Sequence, residues 1–216
     1  METLYQSEDA VRIMRLTSPA EVTELRVALE RIAAELSWQP GDQLRAYQDA
    51  ALHLAVRVGG ELAGGLQVVM GVGEAGLPFR RVWPEAEVAG AATAHVTILA
   101  LEKQYRGRPG LFGPLCVELW RCCTNRDTEQ IVIEATPPTL RLYRRLGWPL
   151  RIIGELRLHW GEECYLCSMG VHEVADALAG RAERARSYRV LVDQAHRRLR
   201  PEPSLPAIEP SLTGVA

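Results

Sequence analysis

This chain of 216 residues lacks long hydrophobic runs and an excess of positive charge, and its number of cysteines is odd. No apolar run reaches the roughly 18–20 residues that a membrane-spanning helix needs. The N-terminal stretch METLYQSEDAVRIM carries no hydrophobic signal-peptide core. The formal net charge of −2 argues against a protein whose main role is broad nucleic-acid binding. We therefore expect a cytoplasmic protein with no membrane span and no nucleic-acid partner.

The five cysteines favour neither disulfides nor a metal site. Their odd number argues against a disulfide framework. Cys164 and Cys167 have a zinc-like C-x-x-C spacing, but only His159 and His172 lie nearby to complete a tetrahedral site. The pair also falls in a strand-like run, where residues three apart point to opposite faces. We expect small buried cysteines and no metal.

The periodic segments predict a mixed α/β chain. Their order from residue 11 to residue 169 is β-α-β-β-β-α-β-α-β-β, followed by a C-terminal helix. Gly59-Gly60 divides two strands and supplies the positive φ of a tight hairpin. Residues 1–171 are predicted to form the main domain and residues 172–200 a helical extension. Residues 201–216, with four prolines, are predicted to be disordered.

A Gly/Arg-rich loop, EKQYRGRPG, connects a buried strand ending at Leu101 to a helix beginning near Leu111. Such a junction presents free backbone N–H groups and the positive end of a helix dipole, which together suit a pyrophosphate. Arg106 and Arg108 add charge and fork-shaped donors. Taken alone, the run is more typical of a solvated basic turn. It matches neither the Walker loop nor the G-x-G-x-x-G fingerprint.

A second motif, TLRLYRRLGW, follows about 30 residues after the Gly/Arg loop. Together, ILAL-EKQYRGRPG and TLRLYRRLGW resemble the signature of the GCN5-related N-acetyltransferase (GNAT) superfamily. The resemblance implies the acyl-CoA N-acyltransferase fold: a mixed, mostly antiparallel central sheet flanked by helices, here with an extra C-terminal helix. It also implies transfer of an acyl group from a thioester to a small-molecule amine, by direct attack within a ternary complex. Acetyl-CoA or a longer acyl-CoA would be the co-substrate, with acyl carrier protein as the alternative donor and a homodimer as the expected assembly.

The resemblance assigns roles residue by residue. Tyr143 matches the family tyrosine that protonates the departing thiolate, and a phenol near sulfur is a sensible acid. The strand at 99–101 matches the family strand whose backbone pairs with the pantetheine arm and polarises the thioester. The residues expected at the cofactor are Leu99, Ala100, Leu101, Arg106, Gly107, Arg108, Gly110, Leu111 and Thr136.

A narrower resemblance is to the N-acyl amino acid synthases and acyl-homoserine lactone synthases, a branch of the same fold. LPFRRVWPEAEV followed by AHVTILALEKQYRG is similar to the corresponding part of that branch. In that branch the central strand usually begins with the pattern E-x-S-R-L. Here His95 stands in place of the glutamate, Thr97 in place of the serine and Ile98 in place of the arginine. In the loop, Pro109 stands where the wider family has glycine, which removes one backbone donor.

Two candidates for the general base stay open. His95 enters the central strand, and an imidazole titrates near neutral pH, where attack needs a neutral amine. Glu134 ends the neighbouring strand and is the alternative. Pro109 and the missing glutamate also motivate a second hypothesis: a GNAT-fold binding or regulatory protein with impaired catalysis.

Overall fold

A computed structural model describes residues 2–6, 10–70, 76–88, 92–108 and 110–182. The strands are β1 Glu2–Gln6, β2 Val11–Arg15, β3 Ala51–Val58, β4 Glu61–Met70, β5 Thr93–Leu101, β6 Gln130–Ala135, β7 Arg151–His159 and β8 Glu162–Gly170. The helices are α1 Pro19–Glu35, α2 Gln43–Ala46, α3 Phe112–Thr124, α4 Pro137–Arg145 and α5 Val171–Ala182. Short 3₁₀ turns lie at Gln48–Ala50, Pro78–Arg81 and Lys103–Tyr105.

All the strands belong to one sheet, in the order β1-β2-β3-β4-β5-β6-β8-β7. Neighbouring strands are antiparallel except β5 and β6, which run parallel. The predicted α/β fold with a mixed, mostly antiparallel sheet is therefore confirmed. Helix α5 begins the predicted C-terminal helix. The rest of the 172–200 extension and the 201–216 tail lie outside the described residues, so the predicted domain boundaries stay predictions.

Two elements are additions to the predicted order. Strand β1 is a short edge strand whose register against β2 shifts between Thr3 and Tyr5. Helix α2 has only four residues after the PGD break. Neither is long enough to display a hydrophobic period, and β1 gains its structure from pairing with β2 rather than from its own sequence.

The two faces of the sheet are covered by different helices. On one face, Leu25, Leu29 and Ile32 of α1 pack against the sheet. On the other face, α3 and α4 contribute Leu115 and Leu140 to the larger core. Burying each such side chain stabilises the fold by roughly 1.5–3 kcal/mol. Because strand residues alternate between faces, the odd-numbered residues of β3 and those of β4 from Gly65 onwards lie on the α1 face, whereas the register shift near Gly64 places Ala63 in the other core.

The hairpin between β3 and β4 confirms the prediction from its glycine pair. Gly59 and Gly60 have φ of +60° and +96°, the left-handed values that a tight two-residue turn requires.

Strands β5 and β6 part after a short parallel ladder. Their pairing runs from Thr93–Gln130 to Val96–Ile133 and then stops, although β5 continues to Leu101. On its other side, β5 stays paired with β4, with a bulge at Thr97 where the register shifts. A bulge increases local twist and turns a strand away from its neighbour. The consequence is a gap at the centre of the sheet.

Candidate functional site

A cleft occupies the gap between β5 and β6. Its walls come from both strands, from α4, from the turn between β7 and β8, and from the segment after α1. The lining residues are Trp38, Val96, Thr97, Ile98, Leu99, Ile133, Glu134, Thr136, Thr139, Tyr143, His159, Trp160, Glu162 and Cys164. Since α4 and α1 lie on opposite faces of the sheet, the cleft is walled from both faces.

The two candidate bases, His95 and Glu134, are brought together at the base of this cleft. His95 Nε2 lies 2.8 Å from Glu134 Oε1. The parallel register pairs His95 with Val132, so Glu134 comes two residues later on the same face. His95 is 0% exposed and packs edge-on against Phe79, with ring centroids 5.4 Å apart. Glu134 lines the cleft, whereas His95 lies behind it.

Glu134 is held in its ionised form. Burial raises the pKa of its carboxyl group, but the charge and hydrogen bond of His95 outweigh that effect, and His159 adds to them. The resulting pKa lies below the ordinary value for glutamate. An ionised Glu134 accepts the hydrogen bond from His95 Nε2, which orients the carboxylate towards the cleft.

His159 is a cleft residue to which the sequence assigned only a rejected metal role. Its Nε2 lies 3.9 Å from Glu134 Oε1, and its side chain is 9% exposed. Burial lowers the pKa of His159, although Glu134 opposes that shift. His159 reaches Glu134 only through the pairing of β6, β8 and β7, and no sequence motif marks it.

The turn after His159 is held in an unusual conformation. Trp160 has φ of +53° and Gly161 has φ of +91°. A left-handed conformation in a bulky residue costs on the order of 1–3 kcal/mol. Two hydrogen bonds hold it: Gln39 N donates to Trp160 O at 3.0 Å, and Trp160 Nε1 donates to Gln43 Oε1 at 3.0 Å. The turn therefore fixes the Trp160 ring at the cleft.

An aromatic wall, which we define as Trp38, His159 and Trp160, bounds the α1 side of the cleft. The rings of Trp38 and Trp160 are tilted by 51° with centroids 6.5 Å apart. His159 stacks on Trp160 at 5.1 Å. The indole Nε1 of Trp38 is buried and has no hydrogen-bond partner among the described residues. No sequence period singled out these two tryptophans.

Tyr143 and Thr136 lie on the α4 side of the cleft. Thr136 is the N-cap of α4, where its hydroxyl accepts a hydrogen bond from Thr139 N at 3.3 Å. Tyr143 is 6% exposed, and its ring lies 5.6 Å from that of Phe112. Burial raises the pKa of Tyr143 far above its usual range, so the phenol stays protonated.

The Gly/Arg loop joins β5 to α3 as predicted, but its two arginines differ. Arg106 Nε donates to Leu101 O at 2.8 Å, and Arg106 Nη2 lies 3.7 Å from Glu35 Oε2. Arg108 is exposed. Gly107 and Gly110 have φ of +76° and +82°, which explains the need for glycine at both positions. Pro109 lies outside the described residues.

The remaining cofactor candidates differ in what they expose. Leu111 flanks the start of α3 and is completely buried. Ala100 and Leu101 pack into opposite cores, while Leu99 lines the cleft. From Thr97 to Leu101, the β5 edge facing β6 has no ladder partner in that strand.

The C-x-x-C cysteines point to opposite faces of β8, as the strand geometry predicts. Cys164 packs with the cluster around Trp83, and Cys167 with the α3 side. Burial raises the pKa of both thiols to about 12, which disfavours the thiolate that a metal needs. Among the described residues, no helix combines the length and apolar character needed to cross a membrane.

Neither a family model nor a curated protein matches the sequence. Solved structures do match. FeeM, an N-acyl amino acid synthase from uncultured soil microbes, aligns with a TM-score of 0.64 at 14% identity, over 77% of this chain and 94% of that chain. The chain has the GNAT acyltransferase fold.

Two further structures agree with that assignment. BjaI, a CoA-dependent acyl-homoserine lactone synthase, aligns with a TM-score of 0.58 at 12% identity, covering 83% of this chain and 82% of that chain. A GNAT-family acetyltransferase from Streptococcus pneumoniae aligns at 0.53 and 15% identity, over 74% and 98% of the two chains. The fold implied by the sequence motifs is confirmed. At these identities the likeness extends to the fold alone.

Proposed function

We propose that the protein is an N-acyltransferase that moves an acyl group from a thioester to an amine by direct attack within a ternary complex. The observation that carries this proposal is the cleft between β5 and β6, where an ionised carboxylate and a protonated phenol line the same opening. Solved structures with the same fold include acetyltransferases, an N-acyl amino acid synthase and an acyl-homoserine lactone synthase.

Glu134 is the base in this proposal. It lines the cleft, whereas the fully buried His95 has no surface with which to meet a substrate. Glu134 takes a proton from the attacking amine, and His95 orients the carboxylate and stabilises its charge. His95 is therefore a positioning residue.

The thioester carbonyl lies along β5 in this mechanism. The unpaired edge from Thr97 to Leu101 offers backbone N–H groups to the oxygen that becomes negative during attack. Tyr143 donates a hydrogen bond to the departing sulfur. Its raised pKa keeps the hydroxyl protonated until that moment.

The donor is an acyl-CoA, with acyl carrier protein as the alternative. Arg108, Gly107, Gly110 and the start of α3 supply the charge and backbone donors for its phosphates. Arg106 supports the loop instead, because it is held by Leu101 O and Glu35. BjaI is CoA-dependent, which supports a CoA thioester as the first donor to test. The expected homodimer is tested by light scattering during size-exclusion chromatography.

The test combines donor binding with turnover. Calorimetry with acetyl-, octanoyl- and palmitoyl-CoA measures binding, and release of free thiol in the presence of an amine panel measures transfer. Binding of at least one donor together with amine-dependent thiol release is the expected result. Binding without turnover of any amine would favour the binding or regulatory protein. Absence of binding by all three donors and by acylated carrier protein would sink the proposal.

A further inference from the structure

The charges around the cleft are of one sign. Glu134 and Glu162 both line it, and no lysine or arginine stands among its described lining residues. Glu162 is half-buried at the start of β8 and has no ion-pair partner within the described part of the chain. Within the described ranges, the ionisable partners of Glu134 are the two imidazoles of His95 and His159.

The imidazole of His159 offsets this negative charge only when it is protonated. Burial lowers the pKa of His159, so its ring is neutral at neutral pH and above. A ligand carboxylate placed in the cleft would lie beside Glu162, which has no ion-pair partner among the described residues, and beside Glu134, whose charge is offset chiefly by the buried His95. This arrangement disfavours its binding. The buried Nε1 of Trp38 offers one neutral hydrogen bond, which suits an oxygen of the ligand but does not neutralise a carboxylate.

The aromatic wall suits the opposite kind of ligand. The rings of Trp38 and Trp160 line the same cleft as the carboxylates of Glu134 and Glu162 and are tilted by 51° to one another. An ammonium group over an indole face is attracted by its quadrupole, and tryptophan is the strongest side chain for this contact. The hydrogen bonds that hold the strained Trp160 turn fix the Trp160 ring in place at the cleft.

We infer that the acceptor is a cationic amine without a carboxylate next to its amino group, bound between the aromatic wall and the carboxylates of Glu134 and Glu162. This inference rests on the proposed N-acyltransferase function and names the substrate class of that site. It separates this chain from FeeM, which is an N-acyl amino acid synthase.

The transfer balances with this acceptor. The ammonium loses one proton to solvent on entering reaction, and Glu134 takes the second as nitrogen attacks the thioester carbon. The C–N bond forms and the C–S bond breaks. The thiolate leaves with a hydrogen bond from Tyr143 and takes up a proton from solvent to become the free thiol, while Glu134 gives the proton it took to solvent. The products are an N-substituted amide and CoA, with no oxidant or metal involved.

Matched pairs of acceptors test the inference. Tryptamine and tryptophan, tyramine and tyrosine, and cadaverine and lysine differ only by the carboxylate. We expect calorimetric binding of each amine to be at least tenfold tighter than that of its amino acid. Tryptophan methyl ester and tryptophan amide, which lack the negative charge, should bind like tryptamine. Equal or tighter binding of the amino acids would overturn the inference.

A charge-reversal variant sharpens the test. Glu162→Arg should weaken tryptamine binding and strengthen tryptophan binding. The ratio of the tryptophan Kd to the tryptamine Kd should therefore fall at least tenfold. Glu163→Arg, at the exposed neighbouring position on β8, is the matched control and should leave the ratio unchanged. An unchanged ratio in Glu162→Arg would also overturn the inference.

Binding and turnover separate this inference from the proposed function. Preferred binding of the amines without thiol release from any acyl-CoA would contradict the N-acyltransferase while supporting the acceptor class. Turnover with a preference for amino acids would support the enzyme and overturn the acceptor class.

Discussion

Two histidines on the same face of the sheet, His53 and His95, differ mainly in their partners. Both are buried, at 3% and 0% exposure. His53 Nε2 lies 3.3 Å from the amide nitrogen of Gln67, which also donates to Leu44 O, while Gln67 Oε1 accepts from Thr97. His95 instead faces the Glu134 carboxylate.

That difference teaches what makes a buried imidazole useful. The Gln67 amide is oriented by its other bonds so that it donates towards His53, which keeps the imidazole nitrogen unprotonated. Burial lowers the pKa of His53 to about 4. The neutral network supports the β5 bulge at Thr97. In the His95 network, Glu134 is ionised, and its carboxylate lines the cleft.

The largest expected effect comes from removing that charge. Glu134→Gln keeps the shape of the side chain but loses the base, so kcat/KM for the preferred amine should fall about 100- to 10,000-fold. Steady-state thiol release measures it, with Glu163→Gln on the exposed side of β8 as the matched control. A loss below threefold would remove Glu134 from the base role.

The next largest effect concerns how the free energy of unfolding depends on pH through His53. Because its folded pKa lies below the unfolded value, His53 favours the folded state above about pH 6.5, and this contribution is lost as pH falls towards 4. Between pH 7 and pH 4.5, wild type should lose about 2 kcal/mol more unfolding free energy than His53→Gln. Urea unfolding at both pH values measures the difference. Equal losses would show that His53 is not held neutral by the fold.

The comparison itself is tested by paired substitutions. His95→Asn removes the main partner that lowers the Glu134 pKa, so the acidic limb of the kcat/KM profile should move to higher pH. His53→Asn should leave that limb in place. Equal shifts in both variants would mean that the two histidines act in the same way.

The smallest expected effect lies in the Gly/Arg loop. Arg108→Ala should weaken CoA binding about three- to tenfold, and the loss should shrink at high salt because an exposed charge is screened. Arg106→Ala serves as the comparison, since Arg106 is already bound to Leu101 O and Glu35 and its loss should chiefly lower stability. Calorimetric titration with CoA at two salt concentrations measures both. A larger binding loss in Arg106→Ala would reverse the assigned roles.

Local signals in the sequence were sufficient for the longer regular elements and one turn, but not for β1 and α2. Ser18 and Pro19 start α1, Gly59-Gly60 turns the β3–β4 hairpin, and Gly147 follows α4 with φ of +82°. Each of these depends on residues close together in the chain. The strand periods also placed His95 and Glu134 in two strands, and the family resemblance implied that the strand of His95 is central.

The assembled site depends on register and topology, which no local pattern contains. The sequence left His95 and Glu134 as rival bases, and only the parallel register of β5 and β6 makes them partners. His159 and Trp160 reach the cleft through β7 and β8. The turn between β7 and β8 has Trp-Gly where a tight hairpin usually has Asn-Gly. Its residue types therefore did not predict the left-handed conformation of Trp160.

The central claim is that the cleft between β5 and β6 transfers an acyl group with Glu134 as base. Mass spectrometry of a reaction containing octanoyl-CoA and tryptamine tests it most directly. We expect N-octanoyl tryptamine with wild type and at least 100-fold less with Glu134→Gln, in the range usual for loss of a general base. Comparable product from both proteins, or bound octanoyl-CoA that stays intact with every amine, would contradict the account.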